Sequence, residues 1–414
     1  FVPIFRASDG VRDVVLHGSR AFALADGRIV EREVVAVDLA ARSPSQRSLF
    51  SLKDATLRGL DVAKDGLYVT GRRGMGSFVA QLDAEGHLLR TVDAPAGFNV
   101  RVAGSSPREP GVFLGTEGFA QPRTLARFRD GRSTPFPLEA LGRLPPGERV
   151  VPRARLEWAT SRDGTKVPMT IIEAGDARGK LVPTMMTAYG AYGTVLEPAY
   201  SPHLVAWLEQ GGRYVFCHAR GGGDLGESWH RAAMQEKKRV SVDDAIACAE
   251  DLLEKREVDR NHLAFHGRSA GGIIASTLLA DRRDLFGAIA IEFGVTEATR
   301  MEHTAGGPAN VPEFGSTATK EGFEALLQVD GYNRLTPGMI LPRVLVTTGI
   351  RDNRVPAWMP AKFVARLRRF AVNAEAVDFR VDFDDGHGLA STAEQRAAYS
   401  ADLLAFARSG MAAL

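Results

Sequence analysis

The sequence predicts an all-β region followed by an α/β domain whose mostly parallel sheet is covered by helices on both faces. From Phe1 to about Pro137, short strand-like segments alternate with turn residues. Beyond that point, apolar strands alternate with helical segments, a pattern typical of a parallel sheet buried on both sides. The length of 414 residues also favours two domains, because a single core seldom grows past roughly 250 to 300 residues.

The all-β region consists of repeated groups of short strands. Turns such as Lys64-Asp65-Gly66 and Arg129-Asp130-Gly131 separate them. The segments Leu60 to Pro95 and Val100 to Pro135 each contain about four strands, the content of one β-propeller blade. We therefore expect residues 1–145 to form about three blades of a partial β-propeller whose N-terminal portion is missing. A small β-sandwich is the alternative.

The second domain is predicted over residues 146–414, after a linker that contains Pro145-Pro146-Gly147. Its best-defined helix is expected from Val242 to Lys255, with Ser241 as the cap and two aspartates in the first turn. Apolar strands are predicted at residues 181–186, 214–217, 263–266, 288–291 and 344–348.

Composition places few limits on function. The 52 Lys and Arg residues nearly balance the 50 Asp and Glu residues, so the formal charge of +2 favours neither a nucleic acid nor an anionic membrane as partner. Cys217 and Cys248 have no second Cys or His at metal-ligand spacing. We therefore expect no metal site, and buried free thiols rather than a disulfide.

The sequence contains no run of 18 apolar residues and no basic-then-apolar leader. We accordingly expect no membrane segment and a cytoplasmic protein. Because the chain starts at Phe1 rather than Met, a periplasmic or secreted location stays open.

The stretch from Leu263 to Gly272 contains Gly-x-Ser-x-Gly between a strand-like and a helix-like segment, the context that a nucleophile elbow requires. In such a turn Ser269 adopts a strained backbone conformation, while Gly267 and Gly271 let neighbouring backbone pass closely. The serine hydroxyl would then be exposed above the sheet as a nucleophile. A glycine-rich turn with an incidental serine fits the pentapeptide equally well, so residues further along the chain decide between the two.

Chain order selects the partners of this serine. In α/β hydrolases an acid and then a histidine follow the nucleophile, each on a loop after a later strand. Asp352 follows the strand at 344–348, and His387 is the one histidine beyond it. His387 can remove the proton of Ser269 near neutral pH, and Asp352 would hold the required tautomer. A surface aspartate and a loop histidine are the alternatives.

A tetrahedral intermediate needs hydrogen-bond donors at its oxyanion, and losing one typically costs ~10²–10³ in rate. We expect the amide of Ala270, the residue after the nucleophile, to be one donor. The loop from Tyr189 to Gly193 offers the Tyr189 hydroxyl as a second. Packing of Tyr189 and Tyr192 against the core is the alternative.

Five motifs occur in a recognisable order. They are Ala188-Tyr189-Gly190-Ala191-Tyr192, the segment Ala219 to His230, the segment Gly267 to Gly272, Asp352-Asn353-Arg354-Val355, and Gly386-His387-Gly388. From roughly Trp158 to the C-terminus the chain resembles the prolyl oligopeptidase family of serine peptidases. The resemblance implies an α/β-hydrolase catalytic domain preceded by a β-propeller that covers the active site and limits substrates to short peptides.

The resemblance also implies roles for individual residues. The triad positions are Ser269, Asp352 and His387, and the oxyanion-hole positions are Tyr189 and Ala270. Arg354 matches an arginine that binds a substrate carbonyl, a role that suits a guanidinium; a salt bridge is its alternative. The pocket-lining positions are Tyr192, Phe314 and Val355.

One pocket position departs from the family pattern. Proline-cleaving members carry a tryptophan that stacks on the substrate proline, whereas this sequence has Asn310 and no tryptophan between Trp229 and Trp358. Stacking contributes ~0.5–1.5 kcal/mol beyond buried area, so we do not expect a strict proline preference. An asparagine offers hydrogen bonds instead, which suits a polar side chain or a branched linkage.

We therefore expect a serine peptidase that cleaves short peptides through an acyl-enzyme without a cofactor. The alternatives are an isopeptidase of the lasso-peptide type or an esterase on the same triad, and a propeller interaction protein with an inactive hydrolase domain. A missing N-terminal fragment of the same propeller is an expected partner.

Overall fold

The computed structural model describes residues 3–27, 32–137, 151–175, 181–388 and 392–411. The chain divides into two compact units, Phe1–Glu148 with Glu197–Ser201, and Arg149–Leu196 with Pro202–Leu414. The predicted linker at Pro145-Pro146-Gly147 and the boundary after residue 145 lie outside the described residues.

The first unit contains three antiparallel sheets of four strands, each with its strands in chain order. The first sheet is β1 Asp13–His17, β2 Arg20–Asp26, β3 Arg32–Asp38 and β4 Gln46–Ser51. The second is β5 Thr56–Ala63, β6 Gly66–Arg73, β7 Gly76–Leu82 and β8 Leu88–Asp93. The third is β9 Phe98–Gly104, β10 Val112–Gly118, β11 Thr124–Arg129 and β12 Arg132–Phe136.

The middle sheet packs against a neighbouring sheet on each face. Successive side chains of a strand point to opposite sides, so neighbouring residues of β6 contact different sheets. On β6, Leu67 and Val69 pack with Phe22 of the first sheet. Tyr68, between them in sequence, packs with Val112 of the third sheet. Three sheets stacked in chain order are typical of propeller blades rather than of a two-sheet sandwich.

The second unit is built on one eight-stranded sheet with strand order β13-β14-β16-β15-β17-β18-β19-β20. The strands are β13 Pro152–Thr160, β14 Lys166–Ala174, β15 Thr184–Thr187, β16 Arg213–Cys217, β17 Leu263–Arg268, β18 Ala288–Glu292, β19 Arg343–Gly349 and β20 Val377–Asp382. Pairing is antiparallel from β13 to β16 and parallel from β16 to β20. The predicted change from an all-β region to a mostly parallel α/β domain is confirmed.

Helices connect the strands of this sheet. The α-helices are α1 Pro202–Glu209, α2 Glu227–Arg231, α3 Arg239–Glu254, α4 Gly271–Asp281, α5 Ala298–Met301, α6 Val311–Phe314, α7 Lys320–Leu327, α8 Gly331–Arg334, α9 Trp358–Phe370 and α10 Ala393–Ser409. Short 3-10 helices of this unit lie at Gln235–Lys237, Arg260–His262, Arg283–Leu285, Gly307–Asn310 and Ala374–Ala376, and one of the first unit lies at Ala7–Asp9.

Helix α3 is the one predicted from Val242, but it begins three residues earlier at Arg239. The prediction that Ser241 caps it is wrong, because its hydroxyl donates to the Arg220 carbonyl at 2.7 Å. Asp244 is fully buried and accepts hydrogen bonds from the Arg220 guanidinium and the Ser161 hydroxyl. These contacts tie the helix to distant loops rather than capping its first turn.

The expectation of free thiols is also wrong. Cys217 on β16 and Cys248 on α3 form a disulfide with a Cα–Cα distance of 6.2 Å. Helix α3 packs on this strand, which brings together two cysteines that are 31 positions apart in sequence.

The described residues contain neither a candidate membrane span nor a candidate metal site. No helix among them is long and apolar enough to cross a membrane. Nor do those residues contain a group of three or more His, Cys, Asp or Glu side chains that could hold a metal ion.

Candidate active site

Ser269 occupies a sharp turn between β17 and α4. Its φ of 54° is unusual for a residue other than glycine and costs of order 1–3 kcal/mol unless the surroundings enforce it. The Ser269 amide donates to the Glu292 carbonyl at 2.9 Å, and its carbonyl accepts from Val295 at 3.0 Å. A Cβ atom at Gly267 would lie 2.5 Å from the Gly271 carbonyl oxygen. The strained serine and the close approach of backbone are those expected of a nucleophile elbow.

A chain of hydrogen bonds joins the serine to a histidine and an aspartate. Nε2 of His387 lies 2.9 Å from Oγ of Ser269, and its Nδ1 lies 2.6 Å from Oδ2 of Asp352. The other carboxylate oxygen accepts the amides of Arg354 and Val355, both at 2.8 Å. Asp352 is 6% exposed and His387 is 7% exposed. With Nδ1–H donated to the carboxylate, Nε2 can accept the serine proton.

Sequence reasoning missed the residues that support the histidine. Phe293, directly after β18, has a φ of 47°; its ring centroid lies 5.8 Å from that of His387 and 5.5 Å from that of Tyr399. Arg268 donates to the His387 carbonyl at 3.4 Å. The only sequence signal for Phe293 is its place at the carboxyl end of a buried strand.

Two hydrogen-bond donors lie beside the nucleophile. Burial raises the pKa of the half-buried Tyr189 and the neighbouring Ser269 side chain lowers it, so the two side chains lie close together. In the part of the chain that the structure describes, the Ala270 amide has no hydrogen-bond acceptor, and it lies at the positive end of helix α4. Both groups predicted for an oxyanion hole are therefore brought to Ser269. Tyr189 also packs against the core, which is the alternative considered for it, so it has both contacts.

Three of the four predicted pocket residues contact one another. The Tyr192 and Phe314 rings pack edge to face with centroids 5.3 Å apart. Asn310 accepts a hydrogen bond from the Tyr192 hydroxyl at 2.8 Å and donates to the Gly306 carbonyl at 3.2 Å. Val355 is buried beside the carboxylate that its amide binds. Each polar atom of the Asn310 amide thus has one hydrogen bond within the protein and keeps a second N–H or a second lone pair, so its role as a hydrogen-bond partner for substrate stays a prediction.

Arg354 is exposed, and among the described residues its guanidinium has no hydrogen bond or ion pair. The salt bridge considered as its alternative is therefore not found there. Burial raises the pKa of both Tyr189 and Tyr192, and the nearby positive charge of Arg354 opposes that rise. A free cation next to these tyrosines can donate to a peptide carbonyl.

Side chains of the glycine-rich loop from Ala219 to His230 make hydrogen bonds and ion pairs with neighbouring segments of the chain. Asp224 accepts the Leu196 amide at 2.9 Å and contacts Nδ1 of His218 at 2.8 Å. Asp224 thus satisfies a backbone donor of a neighbouring loop. The Arg220 side chain binds two carboxylates, those of Asp163 and Asp244.

Comparison with known proteins agrees with this architecture. The sequence model of the prolyl oligopeptidase family matches residues 198–412 of this chain. The sequence model of the N-terminal β-propeller domain of prolyl oligopeptidase matches residues 1–131. The prolyl endopeptidase of Elizabethkingia meningoseptica is 29% identical over 333 residues, which cover 80% of this chain and 47% of that protein. The dual function macrocyclase-peptidase POPB of Amanita bisporigera is 27% identical over 411 residues, which cover 94% of this chain and 54% of that protein.

Solved structures show the same fold. A prolyl endopeptidase structure matches with a TM-score of 0.85 and 25% identity, covering 96% of this chain and 59% of that one. Oligopeptidase B from Leishmania major matches with a TM-score of 0.83 and 23% identity over 97% and 58% of the two chains. The chain spans about half the length of the curated relatives it matches. An α/β-hydrolase domain preceded by β-propeller sheets is confirmed, and the chain belongs to the prolyl oligopeptidase family.

Proposed function

We propose that this chain carries the catalytic site of a serine peptidase that hydrolyses short peptides through an acyl-enzyme. The observation that supports it most directly is the hydrogen-bonded series of Ser269, His387 and Asp352 at the elbow. The peptidase names of the relatives agree with it.

The steps follow from the positions of the groups. As Oγ of Ser269 attacks the substrate carbonyl carbon, Nε2 of His387 takes its proton and Asp352 stabilises the imidazolium. The tetrahedral oxyanion is bound by the Tyr189 hydroxyl and the Ala270 amide. Collapse expels the amine, which receives the proton from His387, and leaves an ester on Ser269. Water, deprotonated by His387, then hydrolyses this ester and restores the serine.

Substrate binding is assigned to the groups around the nucleophile. The guanidinium of Arg354, which has no partner among the described residues, donates to a backbone carbonyl next to the cleaved residue. Tyr192, Phe314 and Val355 line the pocket for that residue's side chain, with Asn310 holding the Tyr192 hydroxyl. Without a stacking tryptophan this pocket does not enforce proline.

An isopeptidase or esterase activity on the same triad is the second candidate, favoured by the asparagine at position 310. A peptide-library cleavage profile, run beside branched peptides and p-nitrophenyl esters, separates the two. Higher kcat/KM on α-linked peptides supports the peptidase. Efficient cleavage of branched or ester substrates alone would replace it.

The serine mechanism is tested with Ser269→Ala. We expect turnover to fall by at least about 10⁴-fold, while circular dichroism and peptide binding stay unchanged. A fluorophosphonate should label the wild type at Ser269 and should not label the variant. Ser400→Ala is the matched control, because that hydroxyl donates to the Arg396 carbonyl of α10. Retained turnover in Ser269→Ala would rule out the mechanism.

A further inference from the structure

Below the loop that carries Tyr189 lies a buried ionic cluster that no hydrolytic step uses. Lys238, 3% exposed, precedes helix α3, and its Nζ lies 2.9 Å from Oε1 of Glu313, which is 5% exposed. Nε2 of His230 lies 2.7 Å from the other carboxylate oxygen. Removing such charges from water costs several kcal/mol per ion before pairing. The groups that contact these buried charges therefore indicate the role of the cluster.

The cluster binds the Tyr189 loop at two points. Nζ of Lys238 donates to the Gly190 carbonyl at 3.0 Å, and the Ser241 hydroxyl reaches the same oxygen at 3.2 Å. The Tyr192 amide lies close enough to Glu313 to help lower the pKa of that carboxylate. Within this loop Tyr192 is strained, since its φ of 58° is unusual for a residue other than glycine. Outside contacts are needed to keep a loop in that conformation.

The same charges touch the pocket wall. Nζ of Lys238 lies 5.1 Å from the centroid of the Phe314 ring, and that ring packs on Tyr192. The His230 ring lies against Gly193, where a Cβ atom would approach Nδ1 to 3.3 Å. The cluster thus fixes both ends of the loop segment that begins with Tyr189.

We propose that Lys238 is a positioning residue for the oxyanion hole. Held by Glu313, its ammonium fixes the Gly190 carbonyl and, through this backbone, the place of the Tyr189 hydroxyl. Oxyanion donors act at about 2.7–3.1 Å, and a shift of about 0.5 Å already exceeds what a preorganised site tolerates. This inference rests on the proposed role of Tyr189 in hydrolysis.

A double-mutant cycle tests the coupling. Lys238→Met in the wild-type background is expected to lower kcat roughly 10-fold or more, within the range for a lost donor, and to change KM much less. In the Tyr189→Phe background the same substitution is expected to change kcat by less than about twofold, because the group that it positions is absent. Independent effects that multiply in the double variant would overturn the proposal.

Stability is separated from positioning by one further variant, compared with Lys238→Met. Lys238→Met leaves Glu313 buried without its main partner, so we expect lower stability. The pair Lys238→Met with Glu313→Leu removes both charges and is expected to regain stability without regaining kcat. Full kcat in that stable variant would show that the cluster does not position Tyr189.

Arg239→Met is the matched control. Arg239 is the next residue in the chain, and its guanidinium binds Asp243 and Asp281 rather than the loop; we expect an unchanged kcat. If Tyr189→Phe alone leaves kcat intact, the proposed oxyanion hole fails and the inference fails with it. If Tyr189→Phe lowers kcat but the Lys238 effect is independent, the inference alone fails.

Discussion

At the scale of single residues, burial and neighbouring charge set the protonation states around Ser269. Burial raises the pKa of the Tyr189 phenol, although the neighbouring Ser269 side chain opposes the shift. Burial alone would raise the pKa of Glu313, but the charge and hydrogen bond of Lys238 outweigh it and hold that pKa below its usual range. The hydroxyl donor therefore keeps its proton at neutral pH, while the carboxylate that supports its loop stays ionised.

The raised pKa of Tyr189 predicts a donor that survives alkaline pH. An ordinary tyrosine ionises near pH 10, and a group with a raised pKa retains its proton to still higher pH. The ratio of kcat for the wild type to kcat for Tyr189→Phe should therefore stay constant from about pH 7 to about pH 9.5. Steady-state kinetics on both proteins across that range measures it. A ratio that declines toward one above about pH 8 would show that Tyr189 ionises early or is not the donor.

At the scale of elements, the site is placed by the carboxyl ends of four neighbouring parallel strands. Ser269 follows β17, Phe293 follows β18, Asp352 follows β19 and His387 follows β20. Loops after adjacent parallel strands emerge at one edge of the sheet. Residues that are more than 100 positions apart in sequence, such as Ser269 and His387, are in this way brought into hydrogen-bond contact.

The last residue of β19, Gly349, must lack a side chain, because the loop that carries His387 lies directly against it. A Cβ atom at Gly349 would overlap the carbonyl oxygen of Gly386, directly before His387. We expect Gly349→Ala to displace this loop, lower kcat by ~10²-fold and reduce stability by ~1–3 kcal/mol. Kinetics and thermal unfolding measure the two effects.

Gly306→Ala serves as the control for Gly349→Ala. The nearest atom that its Cβ would meet is the Asn353 carbonyl oxygen at 4.0 Å, so both kcat and stability should change little. An unchanged kcat in Gly349→Ala would mean that the loop tolerates the methyl group and that its position is set elsewhere.

The features that sequence could predict are local ones. A strand, a Gly-x-Ser-x-Gly turn and a helix occur within 20 residues, and the acid and histidine follow in a fixed order, so the sequence alone could propose Ser269, Asp352 and His387 as a triad. The contact between Lys238 and Glu313 joins positions 75 apart, and neither residue belongs to a recognisable pattern. The disulfide depends on α3 packing along β16, which spacing does not reveal. Ser241 has the residue type of a cap, but its hydroxyl is used by the Arg220 carbonyl.

At the scale of the whole molecule, each unit has its own hydrophobic core. The clusters around Phe22 and Tyr68 draw only on the first unit, and the cluster around Phe265 draws only on the second. A separate core is the physical mark of a domain. We therefore keep residues 1–145 and 146–414 as the proposed domains.

The disulfide tests this division, because it closes a loop within the second unit alone. Linking Cys217 to Cys248 across 31 positions is expected to stabilise that unit by ~3–4 kcal/mol through the entropy of its unfolded state. In the variant Cys217→Ala with Cys248→Ala, hydrogen exchange followed by mass spectrometry should speed up across β13 to β20 and stay unchanged in β5 to β8. Reductant should have the same effect on the wild type and none on the variant. Equal acceleration in both units would show that they unfold together, and the two-domain proposal would then be wrong.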